Sequence, residues 1–475
     1  EAAICYTGDL FDKSRPKYNL KYYVDMAKQL EKAGAHILAI KDMAGVCRPR
    51  AARALVKALK EEVGLPIHFH THDTSGASAA SVLAAIDAGV DAIDGAMDSM
   101  SGLTSQPNLG AIVAALEGSE RDTGISVGRL QPFSRYWEGV RHYYSPFEAE
   151  MRSGTSDVYR HEMPGGQYTN LREQARSMGL EHRWAEVSQA YADVNKLFGD
   201  IVKVTPSSKV VGDMALFMVV NDLTPEDVAN PDKEVAFPDS VISLFRGEMG
   251  FPADGFPKAL QKKVLKGKKP MAGRPGAIIP PADLDALRAK GEKTIARPMS
   301  DTDFASYLMY PKVFADFAEH QRHYGDVSQL PTPVFFYGLG ERDEMAVTMD
   351  QGKAIVVRLN GRADTDEEGM VKLFFELNGQ PRDMRVRKAG AVSTVQIHPK
   401  ADPANANHVA APMPGMVATV AVKVGAKVSK GTPLVSIEAM KMESMITAER
   451  DGTVVKVYVA PGDKIEAKDL MIELG

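Results

Sequence analysis

Residues 36–73 read HILAIKDMAGVCRPRAARALVKALKEEVGLPIHFHTHD, and their pattern sets the fold class of the first part of the chain. Short apolar runs, HILAIKD (36–42) and IHFHTHD (67–73), lie at both ends and are typical of buried strands. The segment between them starts with Pro49 in its first turn, repeats apolar residues at helical spacing and stops at Gly64. A strand, a helix and a strand in this order predict two parallel strands joined by a crossover helix.

Similar strand and helix patterns flank this stretch on both sides. Further strands are predicted over AAICYT (2–7) and VDAIDGAM (90–97), and further helices over 21–34 and 77–89. No GxGxxG or phosphate loop follows a strand, and the polar residues cluster where the strands end, as in (β/α)8 barrel enzymes. Because only four such units are present, we predict part of a TIM-type barrel, its second half, over residues 1–105.

The middle of the chain changes character twice. Residues 106–320 are mainly helical in pattern and predict a helical extension of the barrel, with helices at 183–199 and 304–320. Residues 321–398 predict a small β-rich domain. Its strand patterns are PVFFYGL, KAIVVRLN, MVKLFFELN and DMRVRKA. Asn378-Gly379 between two of these patterns predicts a tight hairpin turn.

The last 65 residues contain an internal repeat, in which 415–437 matches 452–474 at a constant offset of 37. Neither copy is large enough to bury a core alone, so the pattern predicts a flattened β-barrel with pseudo-twofold symmetry over 411–475. The preceding residues 399–410 are rich in Ala, Pro and Asn and have no periodicity. They predict a semi-stiff linker that lets the last module move.

Lys441 lies at the predicted hairpin between the two copies, with Met440 and Met442 on either side. An exposed lysine is ordinarily a solvated charge, but this position and the two methionines indicate a special role. The tetrapeptide AMKM (439–442), preceded by PMPG (412–415), resembles the motif of the biotinyl carrier domain of biotin-dependent carboxylases. The related lipoyl domains carry Asp and Ala beside the lysine. The resemblance therefore implies biotin bound covalently to Lys441, attached by a biotin protein ligase.

His70 and His72 lie two residues apart and point to one face of their predicted strand, and His68 shares that alternation. At the C-terminal end of a barrel strand, two such imidazoles can bind a divalent ion, although the same spacing also occurs without a metal. The pair alone is therefore only moderately specific.

Lys41 ends the neighbouring predicted strand in AIKDMAG. As an ammonium group it would repel a cation and would instead pair with Asp42 or Asp73. If it were carbamylated, it would offer two anionic oxygens and would be a good metal ligand. The residues alone favour the ion pair.

The segments AIKDMAG (39–45), HFHTHDTSG (68–76) and MSGLTSQPN (100–108) resemble the carboxyltransferase domain of the pyruvate carboxylase family. That resemblance implies that carbamylated Lys41, His70 and His72 bind zinc or manganese. It also implies a fourth ligand, an aspartate on the first barrel strand, and an arginine and a glutamine that help hold pyruvate. The chain contains none of these three, so we expect them upstream.

Two further segments, KVTPSSK (203–209) and GGQYTNL (165–171), carry the same resemblance. A threonine in a Pro-Ser loop is ordinarily a helix cap. The resemblance instead implies that Thr205 stands between biotin and pyruvate, contacts the substrate and carries a proton. It also implies that Ser208 contacts biotin.

The resemblance covers essentially the whole chain and implies a C–C bond-forming ligase. The expected reaction is carboxyl transfer from carboxybiotin on Lys441 to pyruvate, giving oxaloacetate. ATP and Mg²⁺ would act in a biotin carboxylase domain that is not visible in this sequence. The resemblance further implies a homotetramer activated by acetyl-CoA, with the β-rich segment in its allosteric and tetramerisation region. The alternatives are the α subunit of oxaloacetate decarboxylase, which runs the transfer in reverse, and a non-catalytic carrier fragment. From this chain alone we expect little decarboxylation.

Composition excludes several other classes. The net charge of −5 provides no overall positive field for nucleic acid or an anionic membrane. No apolar run approaches the roughly 18 residues that span a bilayer. The two cysteines, Cys5 and Cys47, cannot build a disulfide framework, which favours a reducing compartment. We expect the cytoplasm for a bacterial protein and the mitochondrial matrix for a eukaryotic one.

Overall fold

The computed structural model describes residues 1–366, 369–388, 398–403, 405–439 and 442–475. The chain divides into two compact units. The first contains residues 1–277 and the C-terminal segment from 396, and the second contains residues 278–395. None of the helices in the described ranges has both the length and the apolar composition that crossing a bilayer requires.

The first unit opens with four parallel strands, which confirms the predicted strand–helix units. The strands are β1 (Ala2–Cys5), β2 (Leu38–Asp42), β3 (Ile67–Thr71) and β4 (Ala92–Ile93), and they pair in this order. Three crossover helices connect them, α1 (Leu20–Lys32), α2 (Pro49–Glu62) and α3 (Ser78–Asp87). Each strand is shorter than its apolar run. Strands β1, β3 and β4 end before the run does, at the carboxyl edge of the sheet, whereas β2 begins two residues into its run and ends with it.

Helix α2 shows how the sequence produces a crossover. Pro49 lies in the first turn, where the missing N–H group would have no partner within the helix. Leu55, Val56 and Leu59 are completely or almost completely buried along one side of the helix. They belong to the same core cluster as the buried strand residues, so burial of this face fixes α2 on the sheet.

A helical region follows, as predicted. Its helices are α4 (Leu109–Leu116), α5 (Val127–Tyr144), α6 (Val158–His161), α7 (Gly165–Ser177), α8 (Trp184–Leu197), α9 (Ser207–Val220), α10 (Pro225–Ala229), α11 (Asp239–Arg246), α12 (Lys258–Val264) and α13 (Pro275–Ile278). Helix α9 is buried on nearly every side. A helix that is apolar all round must lie inside its domain, so α9 is the central element around which α7, α8 and α11 pack.

The second unit combines helices with an antiparallel sheet. The helices are α14 (Leu284–Ile295), α15 (Asp301–Met309), α16 (Pro311–Tyr324) and α17 (Thr332–Tyr337), and the strands are β5 (Glu344–Asp350), β6 (Lys353–Arg362), β7 (Met370–Leu377) and β8 (Gln380–Arg387). The predicted Asn378-Gly379 hairpin is confirmed, because these residues join β7 to β8. Both have the positive φ that a tight hairpin turn requires, 47° and 81°.

Two predictions for this unit are wrong. The helix predicted over 304–320 is two helices, because Pro311 has no N–H group to continue α15 and instead begins α16. The strand predicted at PVFFYGL is helix α17, which has a proline in its first turn. Its aromatic residues resemble those of a strand, but the proline is better suited to the start of a helix.

The carrier module returns to the first unit and has the predicted repeat. Its strands are β9 (His408–Ala410), β10 (Gly415–Val420), β11 (Lys427–Val428), β12 (Pro433–Ala439), β13 (Met442–Thr447), β14 (Gly452–Val457), β15 (Lys464–Ile465) and β16 (Leu470–Leu474). They form two sheets, ordered β13-β12-β10-β15 and β11-β14-β16-β9. Strands β10, β11 and β12 begin 37 residues before β14, β15 and β16, so the sequence offset relates the two halves of the barrel.

Part of the predicted linker belongs to this barrel. Strand β9 pairs with β16 through Ala410 and Leu470. It is therefore the edge strand next to β16 in its sheet, as β13 is the edge strand next to β12 in the other sheet. Upstream of it, Lys400 Nζ lies 2.8 Å from an oxygen of Asp469. The Ala- and Asn-rich composition does not reveal this pairing, because the partners of these residues lie about 60 to 70 positions later in the sequence.

Candidate functional site

His70 and His72 form the centre of the candidate site at the carboxyl edge of the parallel sheet. His70 is near the end of β3, and His72 follows the strand directly. Their Nε2 atoms face each other at 3.3 Å, with the two rings nearly perpendicular. In each ring the other nitrogen, Nδ1, has a separate hydrogen-bond partner. The pair therefore presents two ring nitrogens to one point in space.

Asp94, just after β4, fixes the ring of His70. Its Oδ2 accepts a hydrogen bond of 2.6 Å from His70 Nδ1, and its Oδ1 lies 3.0 Å from His68 Nε2. Partial burial acts to raise the pKa of Asp94, but the bond and charge from His70 and the charge of His68 outweigh it and lower the pKa below its usual value. An ionised Asp94 only accepts hydrogen bonds, so in the neutral form of His70 the proton is on Nδ1 and Nε2 has the lone pair.

A backbone carbonyl fixes the ring of His72. Its Nδ1 donates to the carbonyl oxygen of Thr104 at 2.6 Å. Burial lowers the pKa of His72 below its usual value, and the positive charges of His70 and Lys41 act in the same direction. His72 is therefore neutral near pH 7, with its proton on Nδ1 and a lone pair on Nε2.

Lys41 lies beside this pair, since it is the register partner of His70 in the neighbouring strand β2. The alternative partners considered from the sequence are engaged elsewhere. The Asp42 carboxylate accepts bonds from the backbone of Val46 and Cys47 and from the Thr71 hydroxyl, and the Asp73 carboxylate accepts one from the backbone of Ser78. Within the described ranges Lys41 forms no ion pair with either aspartate.

The donor set fits part of a divalent metal site. Two nitrogens that each lie about 2.0–2.1 Å from one tetrahedral zinc ion are about 3.3–3.4 Å apart, which is the separation of the two Nε2 atoms. Over the residues that the structure describes, no group of three or more His, Cys, Asp or Glu side chains is suited to a metal. The two imidazoles could thus offer two nitrogens to a metal, and a third donor from this part of the chain would require carbamylation of Lys41.

Thr205 and Ser208 lie at the N-terminal end of α9. Thr205 is exposed, Ser208 is buried, and the hydroxyl that bonds the backbone at this turn belongs to Ser207. Thr205 is therefore not a helix cap. In the described part of the chain, no hydrogen bond joins Thr205 or Ser208 to the histidines.

A buried ionic network, which the sequence analysis did not identify, holds the segment before Thr205. Lys203 is 1% exposed, and its Nζ donates to Glu162 at 2.8 Å. Arg15 bonds both Glu162 and Asp200, so it joins the loop after β1 to this segment. Burial acts to raise the pKa of Glu162, but the charges of Lys203 and Arg15 outweigh it and lower the pKa to about 2.

His161 precedes Glu162 and makes stability depend on pH. It is 1% exposed, and its Nε2 has no hydrogen-bond partner among the described residues. Burial lowers its pKa from 6.5 to about 4. The unfolded chain therefore takes up this proton first as the pH falls, so the stabilisation is complete above about pH 6.5. This stabilisation is lost as the pH falls from about 6.5 to about 4. The free energy of unfolding decreases by about 3 kcal/mol over that range.

We expect His161→Asn to remove this part of the pH dependence, because the amide oxygen can still accept from Met163 N–H but does not titrate. Urea midpoints at pH 6.5 and pH 4.5 would measure it, with the exposed His182→Asn as the matched control. An unchanged pH dependence in His161→Asn would show that His161 is not the responsible group.

The predicted biotin position, Lys441, lies outside the described residues, as does Met440. The flanking strands β12 and β13 pair through Ala439 and Met442. In the PMPG segment (412–415), Met413 is 1% exposed and belongs to the core cluster of the helical region.

Asp94 is the residue of the candidate site that sequence analysis missed. Its signal was its position within VDAIDGAM (90–97), the predicted strand that follows the one carrying the histidines. No sequence signal could reveal the Thr104 partner, because that contact uses a backbone carbonyl in a loop 32 residues later.

Three regions of the chain match conserved families. Residues 10–136 match the HMGL-like family, residues 158–358 a conserved carboxylase domain, and residues 407–474 biotin-requiring enzymes. Among individual proteins, the chain is 49% identical to pyruvate carboxylase of Bacillus subtilis and 45% identical to the human mitochondrial enzyme. Each match covers 100% of this chain but only 41% and 40% of the relative. The chain thus spans about two fifths of these relatives.

Two solved structures from Rhizobium etli are also similar. The complete multifunctional pyruvate carboxylase is 57% identical with a TM-score of 0.75, and the match covers 100% of this chain and 44% of that one. The carboxyltransferase domain solved with pyruvate and biocytin is 60% identical with a TM-score of 0.77, over 82% of this chain and 66% of that domain. The HMGL-like match and these structures confirm the predicted TIM-type barrel fold, and the C-terminal match confirms the biotinyl module.

Proposed function

This chain belongs to the pyruvate carboxylase family, and on that premise we propose that it transfers a carboxyl group from carboxybiotin on Lys441 to pyruvate, forming oxaloacetate. It would do so as the carboxyltransferase and carrier part of a C–C bond-forming ligase. The observation that carries the proposal is the histidine pair, whose two Nε2 atoms face each other at 3.3 Å while both Nδ1 atoms are bonded elsewhere. The similarity to a domain solved with pyruvate and biocytin supports these two ligands.

The metal site would consist of His70, His72 and carbamylated Lys41, with an aspartate contributed from outside this chain. Zinc or manganese bound there would act as a Lewis acid on the carbonyl group of pyruvate. Asp94 and the Thr104 carbonyl would hold the two rings in place, so that both ligand nitrogens keep their lone pairs before a metal arrives. Carbamylation would convert Lys41 from a repelling cation into an anionic oxygen donor.

Thr205 would move the proton that the transfer requires. Its Oγ would take a proton from the methyl carbon of pyruvate, and its own hydroxyl proton would pass to the biotin nitrogen from which the carboxyl group has left. The hydroxyl is neutral before and after this exchange, and the electron pair left on the pyruvate carbon attacks CO2. Biotin on Lys441 supplies the mobile carboxyl group, and Ser208 would contact it.

The remaining features of the proposal belong to the whole protein. An ATP- and Mg²⁺-dependent biotin carboxylase domain would load the biotin, and a biotin protein ligase would attach it. The assembly would be a homotetramer activated by acetyl-CoA. Its location would be the cytoplasm in a bacterium and the mitochondrial matrix in a eukaryote. The reverse reaction of an oxaloacetate decarboxylase α subunit is not favoured, because the relatives reported above are pyruvate carboxylases.

We expect His70→Ala and His72→Ala to lose bound metal and oxaloacetate formation together, because each removes one of the two nitrogens that face a common point. The loss of metal affinity should exceed the roughly 10–100-fold that loss of an outer hydrogen-bond partner costs. Metal content would be measured by elemental analysis. Pyruvate-dependent oxaloacetate formation would be measured with malate dehydrogenase in the complete gene product.

His36→Ala is the matched control, since His36 is exposed and precedes β2, at the opposite end of that strand from Lys41. It should change neither readout. Retained metal and activity in both histidine variants would contradict the proposed site. Oxaloacetate decarboxylation without ATP-dependent carboxylation of pyruvate would instead identify the decarboxylase reaction.

A further inference from the structure

Gly165 begins helix α7 directly against the hydrogen bond that orients His72. A Cβ atom built on Gly165 would lie 2.6 Å from His72 Nδ1, 2.6 Å from the carbonyl oxygen of Thr104 and 3.2 Å from His72 Cγ. All three distances are below ordinary van der Waals contact, and the first two atoms are the donor and acceptor of a single bond. Any side chain at residue 165 would therefore press into that bond.

We propose that Gly165 is a positioning residue for His72, and that its lack of a side chain keeps the His72 Nδ1–Thr104 bond intact. The inference rests on the proposed metal site and deepens it. If the bond breaks, nothing fixes the proton on Nδ1. The ring can then turn, or carry its proton on Nε2, and either change removes a metal ligand.

The backbone at Gly165 cannot simply move away. Its N–H group donates to the carbonyl oxygen of Met43 at 2.8 Å, which ties the start of α7 to the loop after β2. Gly165 is itself buried. The backbone of His72, which carries the ring, is also held in place. The His72 N–H group donates to the Asp42 carbonyl, and the His72 carbonyl accepts from the Ser78 hydroxyl. A Cβ must then displace the imidazole or the Thr104 loop.

Gly166, the next residue, provides a matched comparison. A Cβ built there has no atom within 4 Å, and the residue is exposed. Both glycines lie in the first turn of α7, so Gly→Ala gives the same gain in helix propensity at either position. Only the space available differs. The requirement at residue 165 is therefore steric rather than conformational.

The test is a titration of the complete gene product with Co²⁺, followed by its absorption bands, and with Zn²⁺ in competition. We expect Gly165→Ala to weaken metal binding about 10–100-fold and Gly166→Ala to leave it unchanged. Equal affinities for Gly165→Ala and the unsubstituted chain would overturn the inference. If the unsubstituted protein binds no metal, or binds metal that His72→Ala does not remove, the proposed metal site has failed. The inference then fails with it.

A double-mutant cycle covers the case in which Gly165→Ala does not fold. If the alanine acts on the His72 ring or on its bond to Thr104, adding Gly165→Ala to His72→Ala should lower the urea midpoint less than Gly165→Ala lowers that of the unsubstituted protein. An equal lowering in both backgrounds, or a double variant that also fails to fold, would show that the alanine does not act through His72 and would overturn the inference.

Discussion

Production of the chain with an active biotin ligase should add one biotinyl group, and Lys441→Arg should add none. Arginine keeps the positive charge but cannot be acylated by the ligase, so this variant separates the chemistry of the amine from its charge. The expected effect is complete, because a carrier without its biotin cannot transfer a carboxyl group. Intact mass spectrometry of the two chains would measure it.

The matched control is Lys423→Arg, since Lys423 is an exposed lysine of the same carrier module and lies just after β10. This variant should gain the same mass as the unsubstituted chain. If the chain gained no mass while ligase and biotin were shown to be active, Lys441 would not be a biotin site. The barrel motifs would then indicate a lyase or an aldolase without a biotin step.

The carrier module is the part of the fold that sequence predicts best, and the reason is its repeat. Each half carries the same spacing of apolar residues and glycines, so Gly415 and Gly452 begin equivalent strands 37 residues apart. Two independent copies of one pattern constrain register and topology more strongly than a single strand does. Strand β9 was missed because its sequence, His408–Ala410, is too short to show a period.

The parallel strands and the histidine pair were also predictable, because both depend on local periodicity. Alternation along one strand placed His70 and His72 on the same side, and the structure brings their Nε2 atoms together. The residues that orient them depend on contacts between distant segments. Asp94 lies 24 residues after His70, and Gly165 lies 93 residues after His72. Local patterns carry little information about such contacts, and none about a backbone carbonyl.

Helix α17 shows where local patterns mislead. Its aromatic run is typical of a strand, whereas the proline at its start favours a helix. Four large apolar side chains follow this proline and give the segment its strand-like pattern. A strand also needs a partner, and in this unit β5 to β8 pair with one another in sequence order. Helix α17 lies outside this sheet, a result that the aromatic pattern of a single segment does not reveal.

Thr205→Ala should lower pyruvate carboxylation in the complete gene product by about 10²–10⁴-fold, the usual contribution of one positioned proton-transfer group. Thr205 is exposed, caps no helix, and forms no hydrogen bond within the described ranges, so the variant should fold normally. Its biotin content and bound metal should also be unchanged, which separates loss of proton transfer from loss of the carrier or the metal. Oxaloacetate formation would again be measured with malate dehydrogenase.

Thr205→Ser provides the control, because serine retains the hydroxyl and loses only the methyl group. If proton movement through this hydroxyl is what matters, Thr205→Ser should keep most of the activity that Thr205→Ala loses. Equal losses in both variants would assign the effect to the methyl group and its packing. Full activity in Thr205→Ala would reject the proton relay while leaving the metal site and the biotinylation of Lys441 in place, because neither of these proposals depends on the Thr205 hydroxyl. The ionic network around Glu162 and Lys203 would then hold a loop whose threonine is dispensable.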